Sequence, residues 1–256
     1  TTHNVHSANK SEQSEQITNF MYNFILSVFA FLMRLISPFH KKVGLMVRGH
    51  KNTWHTLREK IDPTAKYVWF HVASLGEFEQ ARPMIETLKK EHPRYRVLLT
   101  FFSPSGYEVR KDYPLADVVC YLPFDTKRNA KRFVEMVNPH IVIFVKYEFW
   151  YNFIHQCYRR KLPVYLVSAI FRKEQVFFKK NRGRYGKMLH LYSEIFVQDE
   201  KSKKLLNTHG ITCVTVTGDT RLDRVIEIRQ QAKSLPIIEK FVSGSDLVLI
   251  AGSSWA

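Results

Sequence analysis

Glu77 is the residue of this chain best placed to do chemistry. It closes the stretch Trp69-Phe-His-Val-Ala-Ser-Leu-Gly-Glu77, in which an apolar run gives way to small residues and a glycine. Tyr67 to Ala73, β-branched and aromatic, reads as a buried strand. Phe78 to Glu91 reads as a helix with Phe78, Ala81, Ile85 and Leu88 on one face, and Gly76 suits a sharp turn between the two. Glu77 is therefore expected at the carboxyl end of a strand and the amino end of a helix. Ligands of open α/β sheets bind there, and a helix amino terminus stabilises a carboxylate by about 0.3–1 kcal/mol. A carboxylate in such a cleft can act as a general base. The same residue could also do no more than cap its helix, and the stretch alone leaves both readings open.

The elements that must position Glu77 follow from the rest of the pattern. Apolar strands are expected at 67–73, 96–101, 117–121, 140–145, 163–168, 193–197, 212–217 and 246–251. Helices are expected at 78–91, 105–112, 126–137, 149–160, 173–190, 199–208 and 222–233. This alternation indicates an α/β fold with a parallel sheet covered on both faces.

Four further clusters sit after such strands. They are Thr100-Phe-Phe-Ser-Pro-Ser-Gly106, Tyr121-Leu-Pro-Phe-Asp125, the run from Asn138 through Lys146-Tyr-Glu-Phe-Trp-Tyr-Asn152, and Val214-Thr-Val-Thr-Gly-Asp-Thr-Arg-Leu-Asp223. With the Glu77 turn, the five in this order and spacing resemble the 3-deoxy-D-manno-octulosonic acid (Kdo) transferases. The resemblance runs from about Met21 to the last residue. It implies a GT-B-type glycosyltransferase that attaches Kdo from CMP-Kdo to a lipid A precursor, with inversion. The first Rossmann-like domain would bind the acceptor, and the second would carry most contacts to CMP.

The resemblance also implies roles. Glu77 lies in the matching Ser-Leu-Gly-Glu turn, where the family has its catalytic base. Glu148, Trp150 and Asn152 align with the family's Met-Glu-Thr-Glu-Leu-Trp-Pro-Asn, but Lys146 stands where the family usually has the first glutamate, implicated in transition-state stabilisation. Either Lys146 contacts an anionic group of the donor, or Glu148 takes over the acidic role. Core packing is the plainer reading of Trp150. Arg221 stands where the family usually has lysine, keeping a positive charge that could neutralise the CMP leaving group; the plainer reading is a surface arginine on a linker. The Ser103-Pro-Ser-Gly106 turn matches the family's Thr-Pro-Thr-Gly, and Ser103, Ser105 and Gly106 could hold a phosphate or sugar of the acceptor, or form an ordinary helix cap. No cofactor is implied, and the chain has no metal-ligand cluster of His, Asp or Glu at metal spacing.

Composition agrees with an anionic partner: the formal net charge is +16 over 256 residues. No zinc spacing or RNA-binding signature favours nucleic acid. No Gly-x-Gly-x-x-Gly follows any expected strand, which argues against a Rossmann oxidoreductase. The cysteines, Cys120, Cys157 and Cys213, are widely spaced, as expected of small core residues in a reducing compartment.

Residues 1–20 are polar and aperiodic, an expected disordered extension before Met21. Phe20 to Met33 is apolar and uncharged, and Arg34, His40, Lys41, Lys42, Arg48 and Lys51 follow. A secretory signal would carry its charge on the other side. An interfacial anchor over 21–42 fits best, with a single span or a buried core helix as alternatives. The expected location is the cytoplasmic face of the inner membrane, against anionic lipids. Residues 43–221 then form the acceptor domain, and 222–256 the linker and first strand of a truncated donor domain. Asp246 to Ile250 and Ala-Gly-Ser-Ser254 read as that strand and its phosphate turn. The interleaved basic and aromatic residues Arg172, Lys173, Phe177, Phe178, Lys179, Lys180, Arg182, Arg184, Tyr185 and Lys187 read as a helix facing acidic headgroups or solvent. Two rivals remain: another GT-B nucleotide-sugar enzyme, or a catalytically incomplete, membrane-bound module that binds acidic lipid.

Overall fold

The computed structural model describes residues 20–179, 183–230 and 234–250. Seven parallel strands form one sheet: β1 (Tyr67–Val72), β2 (Arg96–Phe101), β3 (Val118–Tyr121), β4 (Ile141–Val145), β5 (Val164–Ala169), β6 (Glu194–Val197) and β7 (Val214–Val216). Their spatial order is β3-β2-β1-β4-β5-β6-β7. The chain thus winds outward one way from β1 to β3, returns, and winds the other way from β4. The switch point lies between β1 and β4, where Trp69 pairs with Val142 and His71 with Phe144.

The helices are α1 (20–36), α2 (Lys41–Lys60), α3 (Leu75–Glu91), α4 (Pro104–Arg110), α5 (Lys127–Val137), α6 (Tyr151–Arg159), α7 (Gly183–Met188), α8 (Glu200–Thr208), α9 (Thr220–Gln230) and α10 (Pro236–Val242). Helices on both sides of the sheet bury two separate apolar layers. Leu57, Trp69, Phe133, Phe144 and Phe153 fill one; Phe70, Phe78, Ile85 and Phe101 fill the other. Strand alternation explains the split, since neighbours such as Trp69 and Phe70 point to opposite faces.

The strand expectations at 67–73 through 212–217 correspond to β1–β7 within two residues at either end. The expected strand at 246–251 does not form over its described part. Leu247, Leu249 and Ile250 are 87, 90 and 87% exposed, and no described strand pairs with them. Without a neighbouring strand the backbone groups of an extended segment have only water as partner. The expected helix at 173–190 is also corrected. It is broken into a 3₁₀ turn at Val176–Phe178, α7, and a second 3₁₀ turn at Leu189–Leu191. Phe177 is buried against Phe149 and Phe171 within the first 3₁₀ turn. Arg172, Lys173, Lys179 and Lys187 are exposed; Lys180 and Arg182 lie outside the described residues, as do residues 1–19 and the Ala-Gly-Ser-Ser254 turn. Cys120 and Cys157 are buried, but Cys213 is exposed.

Helix α2 has no counterpart in the sequence expectation. It covers the edge strand β3, where Thr53 Oγ1 donates to the Tyr121 carbonyl at 2.8 Å. Gly49 makes the approach possible, since a Cβ there would lie 2.2 Å from the Tyr121 ring. Helix α1 is held by polar contacts at its amino end. Tyr22 donates to Asp125 at 2.7 Å, and Asn23 Oδ1 accepts from Asn152 Nδ2 and the Lys127 N–H at 3.2 and 3.1 Å. The rest of its surface is apolar and open, with Phe24, Ile25, Phe31 and Leu35 between 54 and 60% exposed. That overturns the buried-core-helix reading. No described helix is long and apolar enough to cross a membrane.

Candidate functional site

Helix α3 starts at Leu75, three residues earlier than the periodicity suggests, so Gly76 lies inside its first turn and the strand-to-helix bend falls at Ala73–Ser74. Glu77 keeps the expected place at the carboxyl edge of β1, in the first turn of α3. The Ser74 hydroxyl donates to Glu77 Oε2, and Lys146 Nζ lies 3.9 Å from Oε1. No backbone N–H of the helix start bonds to this carboxylate among the described residues, so its side chain is not spent on capping. Glu77 and Lys146 are 19 and 22% exposed, open to solvent at the switch-point crevice between β1 and β4.

Lys146 is also conformationally unusual. It follows β4 with φ 69°, in the left-handed region, while its N–H is held by the Val167 carbonyl at 2.8 Å. A non-glycine residue there costs roughly 1–2 kcal/mol, and such residues cluster at functional sites. The bend turns the chain so that Glu148 faces back over β1.

Glu148 is bound by two partners that the sequence did not single out as a set. His71 Nε2 lies 3.1 Å from Oε2, and Trp150 Nε1 donates to the same oxygen at 2.6 Å. His71 is fully buried on β1, and its Nδ1 is 2.9 Å from Thr100 Oγ1 on β2. Trp69 Nε1 also donates to that hydroxyl at 2.8 Å. Because Nε2 faces a carboxylate, it carries the proton. Three adjacent strands thus hold one carboxylate through one imidazole. The residue is legible only as part of an apolar strand in sequence; a polar residue at the centre of a buried run is the one available signal. Trp150 is half-buried between His71 and Phe102, with centroids 5.5 and 4.7 Å away, so its packing reading and its bond to Glu148 hold together. Asn152 ties α6 to the β3–α5 connection: its N–H donates to Asp125 Oδ2 at 3.0 Å, beside Phe153 N–H to Oδ1 at 3.0 Å.

The Ser103–Gly106 turn adjoins the Glu77 turn. Ser103 N–H donates to the Ala73 carbonyl at 2.8 Å, and Ser103 Oγ accepts from Ser105 N–H at 3.3 Å as the cap of α4. Gly106 is required by the close approach: a Cβ there would lie 2.4 Å from the Phe101 ring and 2.9 Å from the Ser74 carbonyl carbon. Arg221 begins α9. Its guanidinium bonds Asp219, with Nε 2.9 Å from Oδ2, and this bond holds the Asp219 carboxyl down at about 2. Glu77 is among the charges acting on Arg221, and Thr220 Oγ1 donates to the Gln80 carbonyl at 3.0 Å. The structure therefore gathers Glu77, Lys146, Glu148, Arg221 and the Ser103–Gly106 turn along one edge of the sheet. Among the described residues, no three His, Cys, Asp or Glu side chains converge as metal ligands. A recess of about 580 Å³ lies at the opposite edge, lined by Lys66, His140, Ile141 and Pro163 before or at the starts of strands, away from this assembly.

A family model for the N-terminal part of 3-deoxy-D-manno-octulosonic-acid transferases matches residues 41–224. The chain belongs to the Kdo transferase family. Among similar proteins with that name, one from Haemophilus influenzae is 30% identical over 171 residues, 63% of this chain and 39% of the relative. One from Aquifex aeolicus is 40% identical over 103 residues, 40% of this chain and 28% of the relative. One from Chlamydia muridarum is 26% identical over 247 residues, covering 93% of this chain and 56% of the relative. The chain thus spans roughly a quarter to just over half the length of these Kdo transferases. Among solved structures, the UDP-GlcNAc 2-epimerase of Neisseria meningitidis bound to UDP-GlcNAc superposes with a TM-score of 0.52 at 17% identity, over 69% of this chain and 53% of that one. A putative enzyme of the same kind from Listeria monocytogenes gives 0.51 at 15%, over 69 and 51%. These likenesses show the fold, a GT-B-type Rossmann-like domain.

Proposed function

We propose that this chain is the acceptor-binding part of an inverting glycosyltransferase that moves Kdo from CMP-Kdo to a lipid A precursor in lipopolysaccharide synthesis. The observation that carries this reading is Glu77, held by Ser74 and faced by Lys146 in the switch-point crevice. Glu77 takes the proton of the acceptor hydroxyl as its oxygen bonds the anomeric carbon. The bond from that carbon to the CMP phosphate oxygen breaks, and CMP leaves with the electron pair. A positioned base of this kind contributes about 10²–10⁴-fold.

The cations divide the negative charge of the donor between them. Lys146, replacing the family's usual glutamate, meets the donor carboxylate or phosphate, and Glu148, fixed by His71 and Trp150, supplies the acidic group. Arg221, pre-oriented by Asp219, neutralises charge growing on the leaving phosphate. Ser103, Ser105 and Gly106 border the acceptor. Residues 43–221 form the acceptor domain, and 222–256 lead towards a donor-binding domain. Helix α1, with its open apolar surface and the basic residues that follow, rests on anionic lipid at the cytoplasmic face of the inner membrane.

The test uses this chain extended by the remaining portion of the Chlamydia muridarum relative. Glu77→Gln should lower turnover at least about 10²-fold with little change in acceptor affinity. Near-normal turnover would remove Glu77 from the mechanism. A screen of nucleotide-sugar donors in the same system separates Kdo transfer from other GT-B chemistry.

A further inference from the structure

Gln80 is a buried polar side chain to which the mechanism above gives no part. It lies on α3 about one turn after Glu77 and is fully buried. Its Nε2 donates to Asp219 Oδ1 at 3.2 Å. A carboxylate only accepts, so the amide nitrogen has to face it. The other end of the amide is thereby turned away, and Oε1 has no hydrogen-bond partner. A methionine would fill the same space without stranding an acceptor. Packing therefore does not call for glutamine at this position; the bond to Asp219 does.

The main chain of Gln80 holds the next residue as well. Thr220 Oγ1 donates to the Gln80 carbonyl at 3.0 Å. With that proton committed, the Thr220 oxygen accepts from Ser168 Oγ at 3.1 Å. Ser168 is buried at the end of β5 with φ 56°. Non-glycine residues occupy that left-handed region at a cost, and they cluster at functional sites. The Ser168 carbonyl is pinned in turn by Gln198 Nε2 at 2.9 Å. Two consecutive residues, Asp219 and Thr220, are thus tied to one residue of α3, and the second is also tied to β5.

What they hold is Arg221. Asp219 accepts from the Arg221 N–H at 3.0 Å and from its Nε at 2.9 Å. These bonds stay within three residues, and the side chains of Asp219 and Arg221 are 17 and 55% exposed. So open an ion pair is weak and screened by salt, and it does not fix its own place on the protein. Among the described residues, Gln80 is the only donor to the Asp219 carboxylate from outside this turn. Where the guanidinium points relative to Glu77 therefore depends on Gln80. Base and cation are referred to one rigid element, with Glu77 on the first turn of α3 and Gln80 on the next.

We propose that Gln80 is a positioning residue for the transfer reaction: through Asp219 and Thr220 it aims the Arg221 guanidinium at the crevice that holds Glu77. Gln80 itself touches neither donor nor acceptor. The assignment rests on the part given to Arg221 in the proposed function and adds the residue that sets its direction.

Two measurements test it. The first is NMR of the arginine Nε–H groups in the 256-residue chain, with the Arg221 signal assigned by its loss in Arg221→Lys. That group should exchange with water more slowly than those of unpaired surface arginines. Gln80→Met should bring it to their rate without lowering the urea midpoint. A lowered midpoint with the Arg221 signal kept would make Gln80 a packing residue and overturn the proposal. Should Gln80→Met not fold, Thr220→Val, outside the buried core, removes the second anchor and should speed the same exchange; unchanged exchange there would also overturn it. The second measurement is turnover in the extended enzyme used for Glu77. Gln80→Met should lower kcat by about tenfold with the acceptor KM unchanged, because a misplaced group costs rate more than binding. In an Arg221→Ala background the same substitution should cost nothing further. Losses that multiply would show Gln80 acting elsewhere and defeat the assignment. Wild-type turnover in Gln80→Met would remove the positioning role while leaving the Kdo-transfer reading intact. An extended wild type that transfers no Kdo would remove that reading and the positioning role together.

Discussion

Mild acid should destabilise this protein through His50 before most of its carboxylates are protonated. Burial pushes the His50 imidazole from its ordinary 6.5 down to about 4. The Phe102 backbone, near but not in hydrogen-bonding geometry, offsets part of that, and His71 adds a smaller decrease. Arg34 and Lys51 line a recess beside His50, and no Asp or Glu lines it to reverse the effect. The folded-state value is depressed, so between pH 6.5 and about 4 the unfolded chain binds the proton and the folded chain does not. This contribution to stability is fully present above 6.5 and is lost as pH falls towards about 4. A drop from 6.5 to about 4 corresponds to about 3 kcal/mol, a sizeable share of a typical total of about 5–15 kcal/mol. Urea unfolding of the wild type and of His50→Phe, each followed from about pH 7.5 to about pH 4.5, isolates it, because the other titrating groups are common to both. The stability gap between the two should shift by about 2–3 kcal/mol over that range. Parallel curves would refute the assignment of a buried, unpartnered imidazole.

Three further outcomes are expected. His71→Phe removes one of the two donors to Glu148 and one partner of the Thr100 hydroxyl, which keeps Trp69 Nε1; it should cost about 1–3 kcal/mol in urea unfolding and lower turnover of the extended enzyme, and an unchanged rate would show that Glu148 needs no fixing. Gly106→Ala forces a Cβ to 2.4 Å from the Phe101 ring and 2.9 Å from Ser74, so it should destabilise by about 1–3 kcal/mol, measured by the urea midpoint; a neutral result would mean the two turns can separate. Deleting residues 1–36 should weaken cosedimentation with anionic vesicles, and raising salt should weaken the remaining electrostatic part; undiminished binding would move the membrane contact to the exposed basic residues between Arg172 and Lys187.

The sequence by itself determined the strands from Tyr67 to Val216, the parallel α/β class, and the place of Glu77 at the end of an apolar run. Those features depend on alternation and helix spacing, which act over a few residues and survive in the linear text. It also carried the order of five turns by which the family is legible, including the departure at Lys146. Only the tertiary structure decided which turns meet. Lys146 faces Glu77 because β4 pairs with β1 rather than with β3, a strand order that no local pattern encodes. His71 joins Thr100 and Glu148 across separations of 29 and 77 residues. In sequence it is one more member of a buried strand. The same holds for α2, whose mean apolarity is low and whose place is set by Gly49 against Tyr121 on β3, and for the 173–190 segment, where Phe177 is buried in a 3₁₀ turn instead of a continuous helix. His50 shows the limit most plainly: on α2 it reads as one basic residue among many, and only the rings of Phe102, Tyr121 and Phe124, brought from 52 or more residues away, make it a buried imidazole without a partner. Local periodicity specifies elements; charge, desolvation and close approach between distant elements specify the site.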